Sequence, residues 1–410
     1  MIQLNGIFPP LPTSFDRDEN LALDKMKRKL LMIPGPIEFE PEVMDAMSIP
    51  TPSHVAPDFI ESFGHSVEMM KQVWMCPTGQ PFVVAGTGIL AMDIAGSNLI
   101  EPGDHALVIS TGYFGQRFAN LLKRYGANVT LLTAPVGNIV PMDEIEAALK
   151  KRNYKLMTFT HVDTSTAVMN NPKPIGELGR KYDVLTILDG VCSVAGEEIQ
   201  QEAWGIDVVL TASQKAIGVP PGLALLVVSP KAMAVWKNRS TPVGNYYADF
   251  GNWLPIMGAY MQRKPSYFGT PAVNLILALE KSLQLILREG MEQRIARHRK
   301  VGHAFREGLK SLGLNIIPVN DDVAANTLSA PYFPENVEGP AVISGIGDEG
   351  VVVAGGLLPK IKNRYFRVGH MGMTGKNEVI TSLKAIETSL IKQGLKIEKD
   401  ACLKTALETL

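Results

Sequence analysis

Lys215 is the residue of this sequence whose setting most suggests covalent chemistry. It follows Ser213 and Gln214 in the segment LTASQKAIGVPPG, where an apolar run ends among small residues and a Gly/Pro turn. This pattern predicts a position at the carboxyl end of a strand, where open α/β sheets bind ligands. A partly desolvated lysine can attack a carbonyl group there and form a Schiff base. An ordinary surface lysine is the alternative, because most lysines are exposed.

Asp189 ends a second apolar run, VLTILD. One interpretation is a carboxylate that caps the turn after a strand. The other is a carboxylate held against a pyridine nitrogen, which keeps that nitrogen protonated so that the ring acts as an electron sink. Because Asp189 and Lys215 both end strands and lie 26 positions apart, we expect them to face one cofactor.

Two further segments could bind anions. Gly86, Thr87, Gly88 and Ile89 stand at the start of a predicted helix, where backbone N–H groups and the helix dipole favour a phosphate, although a simple threonine N-cap explains them equally well. Arg367 lies in the strand-like run YFRVGHMG, where a guanidinium either makes a structural ion pair or binds a substrate carboxylate. Together the four features predict one site: a phosphate cup, a ring-nitrogen carboxylate, a Schiff-base lysine and a carboxylate-binding arginine.

The elements that must position these residues alternate between strand and helix from about residue 80. Such alternation predicts βαβ units and a mostly parallel sheet flanked by helices. Two long helical patterns and shorter strand-like runs follow Pro271 and indicate a smaller α+β domain. We therefore expect an arm at 1–30, a large α/β domain at 31–284, a small C-terminal domain at 285–395 and a tail at 396–410.

Composition excludes several classes of protein. Lys and Arg number 40 against 41 Asp and Glu, so the basic excess typical of nucleic-acid binding is missing. No apolar run approaches the ~18 residues of a membrane span, and the N-terminus does not resemble a secretory signal. The three cysteines, Cys76, Cys192 and Cys402, fit no metal site or disulfide framework. We expect a cytoplasmic protein without a metal.

One motif is misleading. The segment from Gly345 to Gly350 matches G-x-G-x-x-G, but a strand-like run, VVVAGG, follows it. A dinucleotide-binding fingerprint needs a strand before it and a helix after it. The segment is therefore predicted to be a helix C-terminus followed by a turn.

From residue 30 to about 392 the chain resembles the class V, fold-type I aminotransferases that depend on pyridoxal 5'-phosphate (PLP), and in particular the alanine–glyoxylate and serine–pyruvate branch. The resemblance rests on strings that occur in the family's order, namely LLMIPGP, GTGILAMD, STGYFGQRFA, THVDTSTAV, LDGVCSVAGEE, WGIDVVLTASQKAIGVPPG, YFGTP and YFRVGHMG.

The resemblance assigns a role to each matching residue. Lys215 would form the Schiff base, Asp189 would pair with the pyridine nitrogen, and Thr164 would bond near the phenolic oxygen. The ring would lie between Val191 and Phe114, and the substrate would contact Gly35 and Arg367. The phosphate would be held from both subunits of a homodimer: by Thr87, Gly88, Ile89 and Gln214 of one subunit, and by the partner's Tyr267 and Thr270. Phe114 departs from the tryptophan frequent in the family, but it can still stack.

The implied reaction is a ping-pong transamination from a small amino acid, alanine or serine, to glyoxylate or pyruvate. A phosphoserine or ureidoglycine aminotransferase would share this apparatus. A cysteine desulfurase would need a reactive cysteine on a mobile loop, whereas Cys192 is expected to be buried. A binding protein on the same fold would be expected to have lost Lys215, Asp189 or Arg367. Residues 1–30 resemble the start of a dihydrodipicolinate-synthase-type aldolase, but nothing after them continues that pattern.

Overall fold

The computed structural model describes residues 28–410 of the chain. The strands are β1 (Leu30–Leu31), β2 (Gln80–Ala85), β3 (His105–Ser110), β4 (Asn128–Thr133), β5 (Leu156–Thr160), β6 (Val162–Asp163), β7 (Val168–Met169), β8 (Leu185–Asp189), β9 (Val208–Ala212), β10 (Leu223–Val228), β11 (Leu328–Ser329), β12 (Val351–Val352), β13 (Ala354–Gly355) and β14 (Phe366–Gly369). The helices are α1 (Pro41–Ser48), α2 (Pro57–Val73), α3 (Gly88–Leu99), α4 (Tyr113–Arg124), α5 (Met142–Lys151), α6 (Pro172–Lys181), α7 (Gln201–Trp204), α8 (Pro230–Lys237), α9 (Phe250–Met261), α10 (Val273–Glu289), α11 (Met291–Ser311), α12 (Gly339–Asp348), α13 (Lys376–Lys392) and α14 (Ala401–Thr409).

A seven-stranded sheet forms the centre of the large region, in the order β2-β10-β9-β8-β5-β3-β4. Its strands are parallel except for β10, which runs antiparallel to both of its neighbours. Every residue of β5, β8 and β9 is buried, as expected for parallel strands that helices cover on both faces. The predicted α/β architecture is confirmed, and the carboxyl ends of the parallel strands meet at one edge of the sheet.

The C-terminal region has its own apolar core. A three-stranded sheet, β11-β14-β13, packs with α11, α12 and α13 through buried side chains that include Phe305, Phe366 and Leu383. Cys402 and Ala406 bring α14 into the same core. Gly290, between α10 and α11, has a positive φ of 85°. The predicted boundary at residue 285 falls inside α10, and the domain limits remain a prediction.

The beginning of the described chain joins this C-terminal region, because β1 pairs in parallel with β12. The chain then leads from β1 into residues 33–36, which contact Lys215 beyond the end of β9. Of the aldolase-like segment, residues 1–27 lie outside the described residues. Gly345 and Gly347 lie in the last turns of α12, and Gly350 lies in the turn that follows it, which confirms the helix-and-turn prediction. In residues 28–410 no helix is long and apolar enough to cross a membrane.

Candidate active site

Lys215 lies just past the end of β9 and is 8% exposed. Its Nζ donates a hydrogen bond to the carbonyl oxygen of Pro34. The next residue, Gly35, has a φ of 92°, and a Cβ there would stand 2.6 Å from Lys215 Cδ and 2.9 Å from the carbonyl oxygen of Gln214. Only a glycine combines this backbone conformation with such a close approach, so the segment lies directly on the lysine.

Asp189 is the last residue of β8 and is 1% exposed. Its Oδ1 accepts a hydrogen bond of 3.1 Å from the N–H of Val191. Burial raises the pKa of this carboxyl to about 7, and the neighbouring carboxyl of Asp163 adds to the rise, while the charge of Lys215 opposes it. A cation bound against Asp189 would therefore be strongly favoured, because it would restore the ionised form.

The start of α3 offers an anion site. Thr87 is the N-cap residue, but its side chain makes no capping hydrogen bond, and Thr87 and Ile89 are exposed. In the described chain, Gln214 Oε1 is buried without a hydrogen-bond partner. Rotation of this amide exchanges its oxygen for its N–H donors. An unpartnered buried amide near the open end of a helix is the setting that a phosphate group would complete.

Val191 and Phe114 come from two neighbouring segments of the site. Val191 Cγ2 would stand 3.1 Å from a Cβ at Gly88, so the loop after Asp189 packs against the start of α3. Phe114 lies in the first turn of α4, and its N–H donates to Asp163 Oδ2 at 3.1 Å. The structure thus brings the start of α3, Asp189 and Lys215 to the same edge of the sheet.

Thr164 and Arg367 meet on the side of the C-terminal region. Thr164 Oγ1 lies 2.7 Å from Cys192 Sγ, and the carbonyl oxygen of Thr164 accepts a hydrogen bond of 3.4 Å from Arg367 Nη1. Arg367 Nε donates to Gly355 O at 2.9 Å. Within the described residues, Arg367 forms no ion pair, and burial lowers the pKa of its guanidinium. A half-buried guanidinium that is bound only by carbonyls is well suited to bind a carboxylate.

Sequence reasoning missed Asp163. This fully buried carboxylate accepts hydrogen bonds from Ser165 N at 2.9 Å, Ser165 Oγ at 2.6 Å and Phe114 N at 3.1 Å. It therefore fixes the start of α4, and with it the Phe114 ring, against the loop that carries Thr164. Its position directly after an apolar strand in THVDTS was the available signal, the same one that revealed Asp189.

Tyr267 and Thr270 are the two predicted residues that the structure leaves apart from the others. Both are exposed, with Tyr267 65% accessible and its ring 5.6 Å from that of His54. In residues 28–410 neither side chain forms a hydrogen bond with the group around Lys215. The three cysteines are all buried, as the sequence predicted for Cys192.

Comparison with known proteins agrees with this geometry. The family described as Aminotransferase class-V matches residues 81–359. An uncharacterised aminotransferase of Methanocaldococcus jannaschii is 36% identical over 95% of this chain and 99% of its own. Alanine–glyoxylate aminotransferase 1 of Saccharomyces cerevisiae is 37% identical over 90% of this chain and 98% of its own. The crystal structure of the ureidoglycine–glyoxylate aminotransferase of Bacillus subtilis superposes with a TM-score of 0.87 at 27% identity, over 93% of this chain and 97% of that one.

The fold and these matches define a fold-type I, PLP-dependent transferase. The chain belongs to the class-V aminotransferase family, and it is a PLP-dependent transaminase.

Proposed function

We propose that this enzyme transfers the amino group of a small amino acid, alanine or serine, to glyoxylate or pyruvate. The observation that carries the proposal is Arg367, a half-buried guanidinium that has no carboxylate partner among residues 28–410. A single cation of this kind suits substrates with one carboxylate. The 37% identity to the yeast alanine–glyoxylate aminotransferase supports the same choice.

We further propose how the site holds PLP. Lys215 Nζ would carry the cofactor covalently, and Asp189 would pair with its ring nitrogen. Val191 and Phe114 would pack on the two faces of the ring, and Thr164 would bond near its phenolic oxygen. The phosphate would be held at the start of α3 and by the buried amide of the residue before the lysine, that is by Thr87, Gly88, Ile89 and Gln214. The unpartnered amide and the raised pKa of Asp189 support this arrangement, since an anion and a cation would complete them.

Bound PLP supplies an electron sink that stabilises negative charge at the substrate Cα. The protein's own groups then control the proton and the orientation. Arg367 would bind the substrate carboxylate, and Gly35 would contact the substrate beside the lysine. Lys215 Nζ would act as the base that takes the proton from the substrate Cα and as the acid that gives it back. Asp189 would keep the ring nitrogen of the bound cofactor protonated. The first 2-oxo acid leaves before the acceptor binds, so the kinetics are ping-pong.

The functional unit that we propose is a homodimer. Tyr267 and Thr270 of each subunit would reach the phosphate site of the other. The support is their exposure in the single chain, together with the exposed apolar side chains of Val55 and Tyr246, which a partner surface would cover.

The test of the proposed function is the near-visible absorbance of the purified protein. We expect a yellow band that L-alanine bleaches and glyoxylate restores, and we expect Lys215→Ala to lose this cycle. No band after PLP is supplied would overturn the cofactor assignment. A band that alanine and serine leave unchanged, but that ureidoglycine bleaches, would move the donor to the one named for the Bacillus subtilis enzyme. Release of sulfide from cysteine would instead indicate a desulfurase.

A further inference from the structure

Arg294 is a buried arginine that lies outside the site described above. It stands at the start of α11, four residues past Gly290, and is 7% exposed. Three of its nitrogens have partners at 2.8 Å: Nε donates to Ala195 O, Nη2 donates to Ala216 O, and Nη1 pairs with Glu289 Oε2. A buried guanidinium whose three nitrogens all form hydrogen bonds holds its partners in fixed positions.

The carbonyls of Ala195 and Ala216 belong to the chain segments that contain Asp189 and Lys215, respectively. Ala216 follows Lys215 directly, in the turn that Gly218 N closes onto Lys215 O at 2.8 Å. Ala195 lies in the loop between Asp189 and α7, and it has a φ of 64°, a conformation that residues other than glycine rarely adopt. A hydrogen bond from Arg294 holds this residue in place. One guanidinium therefore links the lysine segment to the aspartate segment.

Glu289 and its neighbours connect this link to the C-terminal region. Glu289 also binds Arg297 Nε at 2.6 Å, and Arg297 Nη1 donates to Thr374 O at 3.0 Å. His298 Nδ1 donates to Arg294 O at 2.8 Å, and its Nε2 accepts from Gly372 N at 3.0 Å. The start of α11 is thus tied both to the two site segments and to the loop before α13.

We propose that Arg294 is a positioning residue for the transamination: it fixes the distance between the amine of Lys215 and the carboxylate of Asp189. The inference rests on the proposed roles of those two residues. Arg294 acts through the backbone carbonyls of Ala195 and Ala216 and touches neither substrate nor cofactor. A lysine at this position would keep the charge beside Glu289, but its single ammonium cannot reproduce the fork that reaches both carbonyls.

The main experiment compares Arg294→Lys with Arg299→Lys. Arg299 lies on the same helix in an exposed ion pair with Glu198, so the same substitution there serves as the matched control. We expect kcat of Arg294→Lys to fall by about 10- to 100-fold, since small misplacements of reacting groups have effects of this size. KM for the amino donor should change by less than about threefold, because Arg367 is untouched.

A spectroscopic readout separates positioning from simple loss of stability. The pH midpoint of the visible band reports the surroundings of the lysine-bound cofactor. In Arg294→Lys we expect this midpoint to move by at least about half a pH unit, and in Arg299→Lys to stay at the wild-type value. An Arg294→Lys variant with a lower melting temperature, but with wild-type kcat and midpoint, would overturn the inference.

A second variant, Arg294→Ala, makes use of a cavity beside the arginine. Gly218, Glu289 and Arg294 line a cavity of about 360 Å³ that opens towards solvent. Free guanidinium should therefore enter Arg294→Ala. We expect millimolar guanidinium chloride to restore kcat at least about fivefold, and sodium chloride at the same ionic strength to have no such effect. A folded Arg294→Ala protein with wild-type kcat would contradict the proposal, as would one that guanidinium does not rescue.

The wild-type enzyme, measured in parallel, separates failure of the proposed function from failure of the positioning role of Arg294. If it shows no band and borohydride traps no cofactor on Lys215, the proposed function fails and the role of Arg294 fails with it. If the wild type shows both and the Arg294 variants match it, only the positioning role is wrong.

Discussion

At the scale of single residues, burial of the Asp189 carboxyl raises its pKa and so favours the binding of a cation beside it. The side chain is almost inaccessible to water, and its pKa rises to about 7 chiefly for that reason. Below about pH 7 the folded chain therefore favours the protonated form. In the proposed complex the pyridinium of the cofactor would reverse this preference, so binding of PLP and ionisation of Asp189 should be linked.

This linkage predicts how the stability of the apoprotein depends on pH. The folded-state pKa of about 7 exceeds the roughly 3.9 of an unfolded chain, so the folded state binds the proton more tightly. The stability gained is complete below about pH 4 and is lost as the pH rises through 7. Asp189→Asn cannot ionise, so from pH 5 to pH 8 the wild-type apoprotein should lose about 2.5 kcal/mol of stability relative to it.

Chemical denaturation of both apoproteins at several pH values measures this difference. Asp183→Asn is the control, because Asp183 is an exposed aspartate whose one ion pair within residues 28–410 is with Lys231. Parallel stability curves for wild type and Asp189→Asn across this pH range would show that Asp189 is already ionised in the apoprotein.

At the scale of elements, the segment formed by residues 33–36 is held in place at both of its ends. The pairing of β1 with β12 fixes its beginning, and the N–H of Gly369 donates to Met32 O at 2.8 Å. Its other end, at Pro34 and Gly35, contacts the side chain of Lys215. The contact between Gly35 and the lysine side chain leaves no space for a Cβ.

Gly35→Ala should therefore displace the segment and impair the enzyme without unfolding it. We expect kcat/KM for the amino donor to fall roughly 100-fold, because the alanine Cβ would push against Lys215 and Gln214. Gly313→Ala is a matched control, since Gly313 also has a positive φ, 75°, but a Cβ there would meet nothing within 4 Å. Steady-state kinetics and melting temperatures of both variants test this. Equal losses of activity in the two would assign the effect to backbone strain alone.

The sequence predicted those parts of the site that depend on local pattern. An apolar run ending in a polar residue marks a strand end, which is how Asp189 and Lys215 were found. Arg294 carried no such signal, because its role depends on carbonyls 99 and 78 positions away in the chain. Helix α9, which contains Pro255, was also not predicted, since an internal proline ordinarily argues against a helix.

At the scale of the whole molecule, the described chain leaves Tyr267 and Thr270 at its surface. If they complete a partner's phosphate site, each active site of the dimer takes residues from both chains. Two differently damaged subunits should then complement each other, because one of the two sites in a hybrid dimer would be intact.

Co-expression of Lys215→Ala with the double variant Tyr267→Ala/Thr270→Ala tests this. Random pairing makes half of the dimers hybrids with one intact site each, so the activity should recover to roughly a quarter of wild type. Light scattering on the mixture should give the mass of a dimer. Activity no higher than the sum of the two separate variants would contradict the shared site.

The pairing of β1 with β12 also has a consequence for the order in which the protein is made. The large sheet, with Asp189 and Lys215, is complete once residue 228 has left the ribosome, and chains generally fold from the N-terminus during synthesis. The partner strand of β1 begins only at Val351. A nascent chain can therefore form the sheet that carries Asp189 and Lys215 early. The segment that covers the lysine can be fixed through β1 only after β12, at residues 351–352, has been translated.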